Sequence, residues 1–255
     1  MSTIVLAHGI FGFGELIPGF TLVNYFNGIK DHLTSKGHTV IAPSVAIIGS
    51  IQERGDKLAE VLRDAGTGPK HIIAHSMGGL DARHAITNRK DIVQGVKTLA
   101  TIGTPHRGSP VADAVVNASG PLVNEIPSFI SGILRGNAGA FSDLTTTKCI
   151  PFDESTEDVD GVRYIEVAGD PSKGGDELIL FDLAAKIGRI TNEVNDGVVT
   201  KSSALRLVPD HVHLEDWPVD HLGEIGWSKG LLFHRQTVLQ QHFARYDAIL
   251  DMLQD

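Results

Sequence analysis

Short apolar, β-branched runs alternate with helical patterns along this chain, and that alternation constrains its fold more than any other feature. The runs lie at 4–7, 39–42, 71–74, 96–102, 164–167 and 205–208. Several are apolar throughout instead of alternating with polar residues, which is the pattern of strands buried on both faces of a parallel sheet. Tyr25, Phe26, Ile29 and Leu33 share a helical face ahead of Gly37. Leu58, Val61, Leu62 and Ala65 do the same ahead of Gly66, glycine being the usual residue just past a helix end. Val238, Leu239, Phe243, Tyr246, Ile249, Leu250 and Leu253 form the stripe of a long amphipathic helix near the C-terminus. Strands alternating with helices predict a doubly wound α/β fold with a mostly parallel central sheet and helices on both faces. The 255 residues suit one such domain, spanning 1–255.

Two stretches interrupt the alternation. Residues 110–150 are too long for a simple crossover, and Leu122, Ile126, Phe129, Ile130, Ile133 and Leu134 would share one helical face there. Pro127 places the start of that helix near itself, not upstream of it. Residues 170–195 are rich in glycine and charge before the helix-like run "LILFDLAAKIGRI". Both read as excursions from one domain.

Composition narrows the partners. A formal net charge of −9 without any run of Lys and Arg argues against nucleic acid. Cys149 is the single cysteine, so it forms no intrachain disulfide, and no Cys/His zinc spacing surrounds it. No apolar stretch reaches transmembrane length. The chain opens directly on "TIVLAHG", without a charged n-region and an h-region. This fits a cytoplasmic protein or an exported one whose leader is absent or removed, and the location stays unassigned.

"HIIAHSMGGLDAR" packs a strand end, a serine and a helix start into a few residues. Such a turn strains the serine backbone and exposes its Oγ, and it needs small residues two before and two after the serine. Those are Ala74 and Gly78, so the usual G-x-S-x-G pattern holds except for alanine at the first position. Alanine is the mildest replacement for that packing role, and Gly79 adds room where helix meets sheet. By itself the string fits a strand–helix turn without chemistry equally well. His75 is adjacent to Ser76, and adjacent residues on a sharp turn point apart, so it reads as a packing or pocket-lining residue.

A serine nucleophile needs an imidazole base and a carboxylate to orient it. Asp196 lies in the Asn-Asp-Gly turn of "TNEVNDGVVTKSS", a sequence common in turns without any chemistry. Asp170, directly after "YIEVAG", competes with it. His221 lies in "WPVDHLGEIG", with His211 and His213 nearby as alternatives.

Five blocks resolve these alternatives by resemblance. "IVLAHGIFGFGE", "AHSMGGLDAR", "IGTPHRGSPVAD", "NDGVV" and "DHLGEIG" together resemble, in order, the bacterial lipases of the Pseudomonas and Proteus type within the α/β-hydrolase superfamily. The resemblance implies an α/β-hydrolase fold with a helical lid or cap within 110–150. It also implies a serine carboxylic-ester hydrolase acting through an acyl-enzyme on lipid or aliphatic esters. Acyl transfer and polyester cleavage are alternatives on the same scaffold. By position, Ser76 looks like the nucleophile, His221 like the base and Asp196 like the acid that orients it. The backbone N–H groups of Ile10 and Met77 look like the oxyanion donors. His8 and Gly9 then serve loop geometry, while His106 and Arg107 of the "TPHRGSP" block hold loops together. A transient contact with a lipid interface follows for the lid. The Pseudomonas-type relatives also bind calcium, using an aspartate two residues after the catalytic histidine. This chain has Gly223 there, so no calcium site of that type is expected, and no cofactor or other metal is implied.

Overall fold

The computed structural model describes residues 2–10, 25–43, 49–91, 93–127, 138–174 and 178–253. In chain order the elements are β1 (Thr3–Ala7), α1 (Ile29–Ser35), β2 (Thr39–Ile41), α2 (Ile51–Asp64), β3 (Lys70–His75), α3 (Met77–Asn88) and β4 (Val96–Ile102). Then come α4 (Pro110–Asn117), α5 (Ala138–Ser142), α6 (Thr146–Ser155), β5 (Arg163–Val167), α7 (Phe181–Thr191), α8 (Lys201–Ala204), β6 (Val212–His213) and α9 (Arg235–Leu250).

The strands form one parallel sheet in the order β2-β1-β3-β4-β5-β6. The two-residue strand period divides its apolar side chains between two cores. Ile4, Leu6, Ile73, Ala100, Ile102, Ile165 and Val167 face one side, where they meet Ile29 and Leu33 of α1, Leu183 and Ile187 of α7, and Tyr246 and Ile249 of α9. Val5, Ala7, Ile72, Ala74, Leu99 and Tyr164 face the other, against Leu58 and Leu62 of α2 and Ala85 and Ile86 of α3. Helices therefore cover both faces, as the all-apolar strand runs require. Gly37 and Gly66, at φ +93° and +86°, end α1 and α2 in the left-handed conformation that glycine takes without strain. A full capping box between Ser50 and Glu53 begins α2.

The expected strand at 205–208 is not formed, and the sixth strand is β6 instead. The Arg206 N–H donates to the side chain of Glu166 at 2.8 Å and so makes no strand ladder there. Leu207 turns out to solvent at φ +56°, 65% exposed. The chain straightens only at Val212, which pairs with Ile165. Within the long excursion, Leu122 and Ile126 are buried in the larger core. The helical face proposed for Phe129, Ile130, Ile133 and Leu134 lies outside the described residues, as does the "FGFGE" part of the first block.

Candidate active site

Ser76 sits between the last residue of β3 and the first of α3, at φ 57° and ψ −134°. This conformation is strained for a residue with a Cβ, and two close approaches maintain it. A side chain at Gly78 would come within 2.8 Å of the Ala7 carbonyl carbon and of the His8 carbonyl oxygen. At Gly79 it would strike the Thr104 side chain, whose hydroxyl donates to the Ser76 carbonyl at 2.9 Å. Ala74 is fully buried in the α2–α3 core, where its methyl fills the site that glycine often occupies.

The turn aims Ser76 Oγ at His221 Nε2, 3.0 Å away. His221 Nδ1 lies 2.7 Å from Asp196 Oδ2. The other Asp196 oxygen accepts the N–H groups of Val198 and Val199 at 2.8 and 2.7 Å, and Gly197 takes φ +92° to close that turn. The His221 N–H donates to the Asp196 carbonyl at 2.9 Å, tying the two loops by their backbones as well. The three side chains that the resemblance links thus form one hydrogen-bonded series. The competitors are elsewhere: Asp170 accepts the Ser172 N–H at 3.2 Å and pairs with Lys173, while His211 and His213 both face Glu166.

Met77 is the first residue of α3, so its N–H is among those a helix start leaves without an intrahelical acceptor. Ile10 follows His8 and Gly9 beyond the end of β1, and its side chain is buried in the larger core with that of Met77. The loop is held from below. Arg54, wholly buried, donates to the His8 carbonyl at 2.7 Å and to Asp81 at 2.8 Å. Burial pushes the Asp81 carboxyl up and Arg54 pulls it back, leaving it at about 6. A side chain at Gly9 would meet Ser76 Cβ at 2.7 Å, so only glycine lets this loop lie against the serine.

Sequence reasoning missed the second layer. The Gly9 N–H donates to the Tyr25 hydroxyl at 3.0 Å, and that hydroxyl lies 2.7 Å from His75 Nδ1. His75 Nε2 lies 3.0 Å from Glu224 Oε2 and 3.1 Å from the His221 carbonyl. Burial, and then the neighbouring His221, hold the His75 imidazole well below its ordinary range, so it is neutral. Burial likewise raises the Tyr25 phenol, which keeps its proton. One arrangement satisfies all of this: Tyr25 O–H donates to Nδ1, and Nε2–H donates to Glu224 and to the carbonyl. Glu224 also lies 3.3 Å from His221 Nδ1, so two carboxylates face one ring nitrogen. Burial opposes a charge on His221, but Asp196 and Glu224 outweigh it and raise the imidazole above its usual value. Burial, and then Asp196, push the Glu224 carboxyl up from its ordinary value. The signal for Glu224 was its position three residues after His221, which a tight turn brings onto the same side.

The calcium ligand set that the resemblance implies does not fit here. A side chain at Gly223 would meet Val219 Cβ at 2.8 Å and Asp220 Oδ1 at 3.2 Å. The Asp220 carboxylate accepts the N–H groups of Gly223 and Leu180, which ties the His221 turn to the loop before α7. Glu224 points inward at His75 and His221. Millimolar calcium added to chelator-treated protein is therefore expected to leave its Tm and ester turnover unchanged. A rise of several degrees in a thermal melt would show that a site exists after all.

Comparison with known proteins agrees with this architecture. A PGAP1-like alpha/beta domain matches residues 58–128. A Bacillus licheniformis lipase in mature form superposes with a TM-score of 0.69 at 22% identity, over 93% of this chain and 91% of that one, which shows a shared fold. A segment is 45% identical over 103 residues to Saccharomyces cerevisiae triacylglycerol lipase 2, covering 37% of this chain and 32% of the yeast protein. The triacylglycerol lipase of Vibrio cholerae is 31% identical over 288 aligned positions, covering 95% of this chain and 86% of that protein. At that identity and coverage, the chain belongs to the triacylglycerol lipase family of α/β-hydrolases.

Proposed function

We propose that this protein hydrolyses carboxylic esters, lipid esters or shorter aliphatic ones, through an acyl-enzyme on Ser76. The observation that carries this reading is the series Ser76 Oγ, His221 and Asp196, at 3.0 and 2.7 Å, built on a strained strand–helix turn. Asp196 accepts from His221 Nδ1–H, which leaves the Nε2 lone pair to receive the serine proton. Oγ then attacks the ester carbonyl carbon, and the proton moves to Nε2. The imidazolium so formed lies against Asp196. The backbone N–H groups of Ile10 and Met77 donate to the developing oxyanion, and the N-terminus of α3 adds its dipole. Collapse returns the proton from Nε2 to the departing alcohol oxygen. Water, deprotonated by the same nitrogen, then attacks the acyl carbon, and as the bond to Oγ breaks the proton passes from Nε2 to Ser76 Oγ and the acid is released. Acyl transfer would need an alcohol to outcompete water at this second step, and polyester cleavage would need a polymer ester at the first. The names of the relatives favour neither.

A p-nitrophenyl ester series tests the roles. Ser76→Ala is expected to lower kcat by about 10⁶-fold and Asp196→Asn by about 10⁴-fold. Asp170→Asn should change turnover only a few-fold. A reversed order of the two aspartates would move the acid to Asp170. The pH profile follows from the raised His221 imidazole. The base works only when neutral, so kcat/KM is lost as pH falls through that raised pKa, and its rising limb lies above about 6.5. Glu224→Gln removes one carboxylate from Nδ1, lowers the His221 pKa and shifts the limb to lower pH. A limb unmoved in Glu224→Gln would remove Glu224 from the site's electrostatics.

Ser76 is 2% exposed. In this reading the excursion at 110–150 acts as the lid that the resemblance implies, with contact to a lipid surface favouring its open position. Turnover of a short triglyceride is expected to step up as the substrate passes its solubility limit. A smooth saturation curve through that limit would leave the excursion as a fixed part of the domain.

A further inference from the structure

His211 and His213 have no part in the reaction above, yet both converge on one carboxylate. They stand two apart on an extended segment, a spacing that places both side chains on the same face. His213 of β6 is paired in register with Glu166 of β5. Its Nε2 lies 3.1 Å from Glu166 Oε2, and His211 Nδ1 lies 2.8 Å from Glu166 Oε1. One ligand atom from each of the three residues can be chosen so that all lie within 4.8 Å of one another. The far nitrogen of His211 is 2.8 Å from Asp158 Oδ2, and the Tyr164 ring stacks on the imidazole at 5.0 Å and 18°. Glu166 and the His211 side chain are each 2% exposed, whereas His213 is 30% exposed.

We infer that Glu166, His211 Nδ1 and His213 Nε2 form a binding site for a divalent transition metal of the zinc type, with Asp158 orienting His211 from behind. Two imidazoles and a carboxylate are a donor set for zinc-like ions, in contrast to the oxygen ligands that calcium takes. A carboxylate on the second nitrogen of a ligating histidine is the usual outer partner, since it fixes ring and tautomer. The exposure of His213 leaves a side open to water for a fourth ligand. The ion would clamp the two-residue β6 to β5 and hold the preceding loop, a structural role on the outer edge of the sheet.

The charged groups facing His211 are Asp158, Glu166 and Arg206, and Arg206 is itself paired with Asp153 and Asp158. Tyr164 covers one face of the ring.

The test is calorimetric titration of the chelator-treated full chain with zinc chloride at pH 8. One zinc ion is expected per chain, with a rise of several degrees in Tm. His213→Ala and Glu166→Gln should each weaken binding at least about tenfold. Because His213 is part-exposed, metal-free His213→Ala should keep the parental Tm within a few degrees and the parental ester turnover. Turnover of the parent should also survive one equivalent of zinc. No saturable binding up to about 1 mM zinc would overturn the site. So would undiminished binding in both variants, or zinc that inhibits turnover by entering the His75–His221–Glu224 cluster instead.

Discussion

The contact on which the rest of this structure depends is the approach of α3 to the end of β1. Gly78 lies so close to the Ala7 and His8 carbonyls that no side chain fits there. Helix and strand can meet at that distance only if the residue before the helix reverses sharply, and Ser76 takes the resulting strain at φ 57°. Three consequences follow from the one contact. Oγ is lifted toward His221, the α3 N-terminus opens beside it, and the loop of His8, Gly9 and Ile10 is pressed against the serine. Arg54, paired with Asp81 of α3, then keeps that loop in place through the His8 carbonyl. Breaking a buried pair such as Arg54–Asp81 costs about 3–5 kcal/mol, because the remaining charge stays buried.

A second polar layer joins loops that are far apart in the chain. It runs from the Gly9 N–H through Tyr25 and His75 to Glu224 and the His221 loop. Each member is buried, and burial acts on each in the direction that removes charge: Tyr25 stays a phenol, His75 a neutral imidazole, and Glu224 is pushed up. Asp196 differs in its contacts, because two backbone N–H groups donate to one of its oxygens. The two carboxylates beside His221 thus have unlike environments: one is held by the backbone, and the other lies between two imidazoles. Asp220 does a mechanical task in the same turn, tying it by N–H bonds to the loop before α7.

Much of this was legible in residue order. The apolar strand runs and the helical stripes between them predict the parallel sheet, because a strand covered on both faces has no polar side to show. The turn around Ser76 was readable because its small residues follow from steric need. Asp196 and His221 were not separable from Asp170, His211 and His213 by local chemistry, and only the order of five short blocks singled them out. The strand expected at 205–208 failed for a tertiary reason: the Arg206 N–H finds the Glu166 side chain before it can join a ladder. Glu224 was visible in the string "DHLGEIG" but meant nothing until a turn rotated it inward.

The sequence by itself determined the class of fold and the strained turn. Both rest on short-range rules: apolar period for strands and helices, and glycine where the backbone leaves no room for a Cβ. Which carboxylate meets which imidazole was decided only by the tertiary structure. That choice depends on distances between residues as far apart in the chain as Gly9, His75 and Glu224, set by how the loops at one end of the sheet converge. The same holds for the pairing of His211 and His213 with Glu166, which exists only because β6 settles in register beside β5.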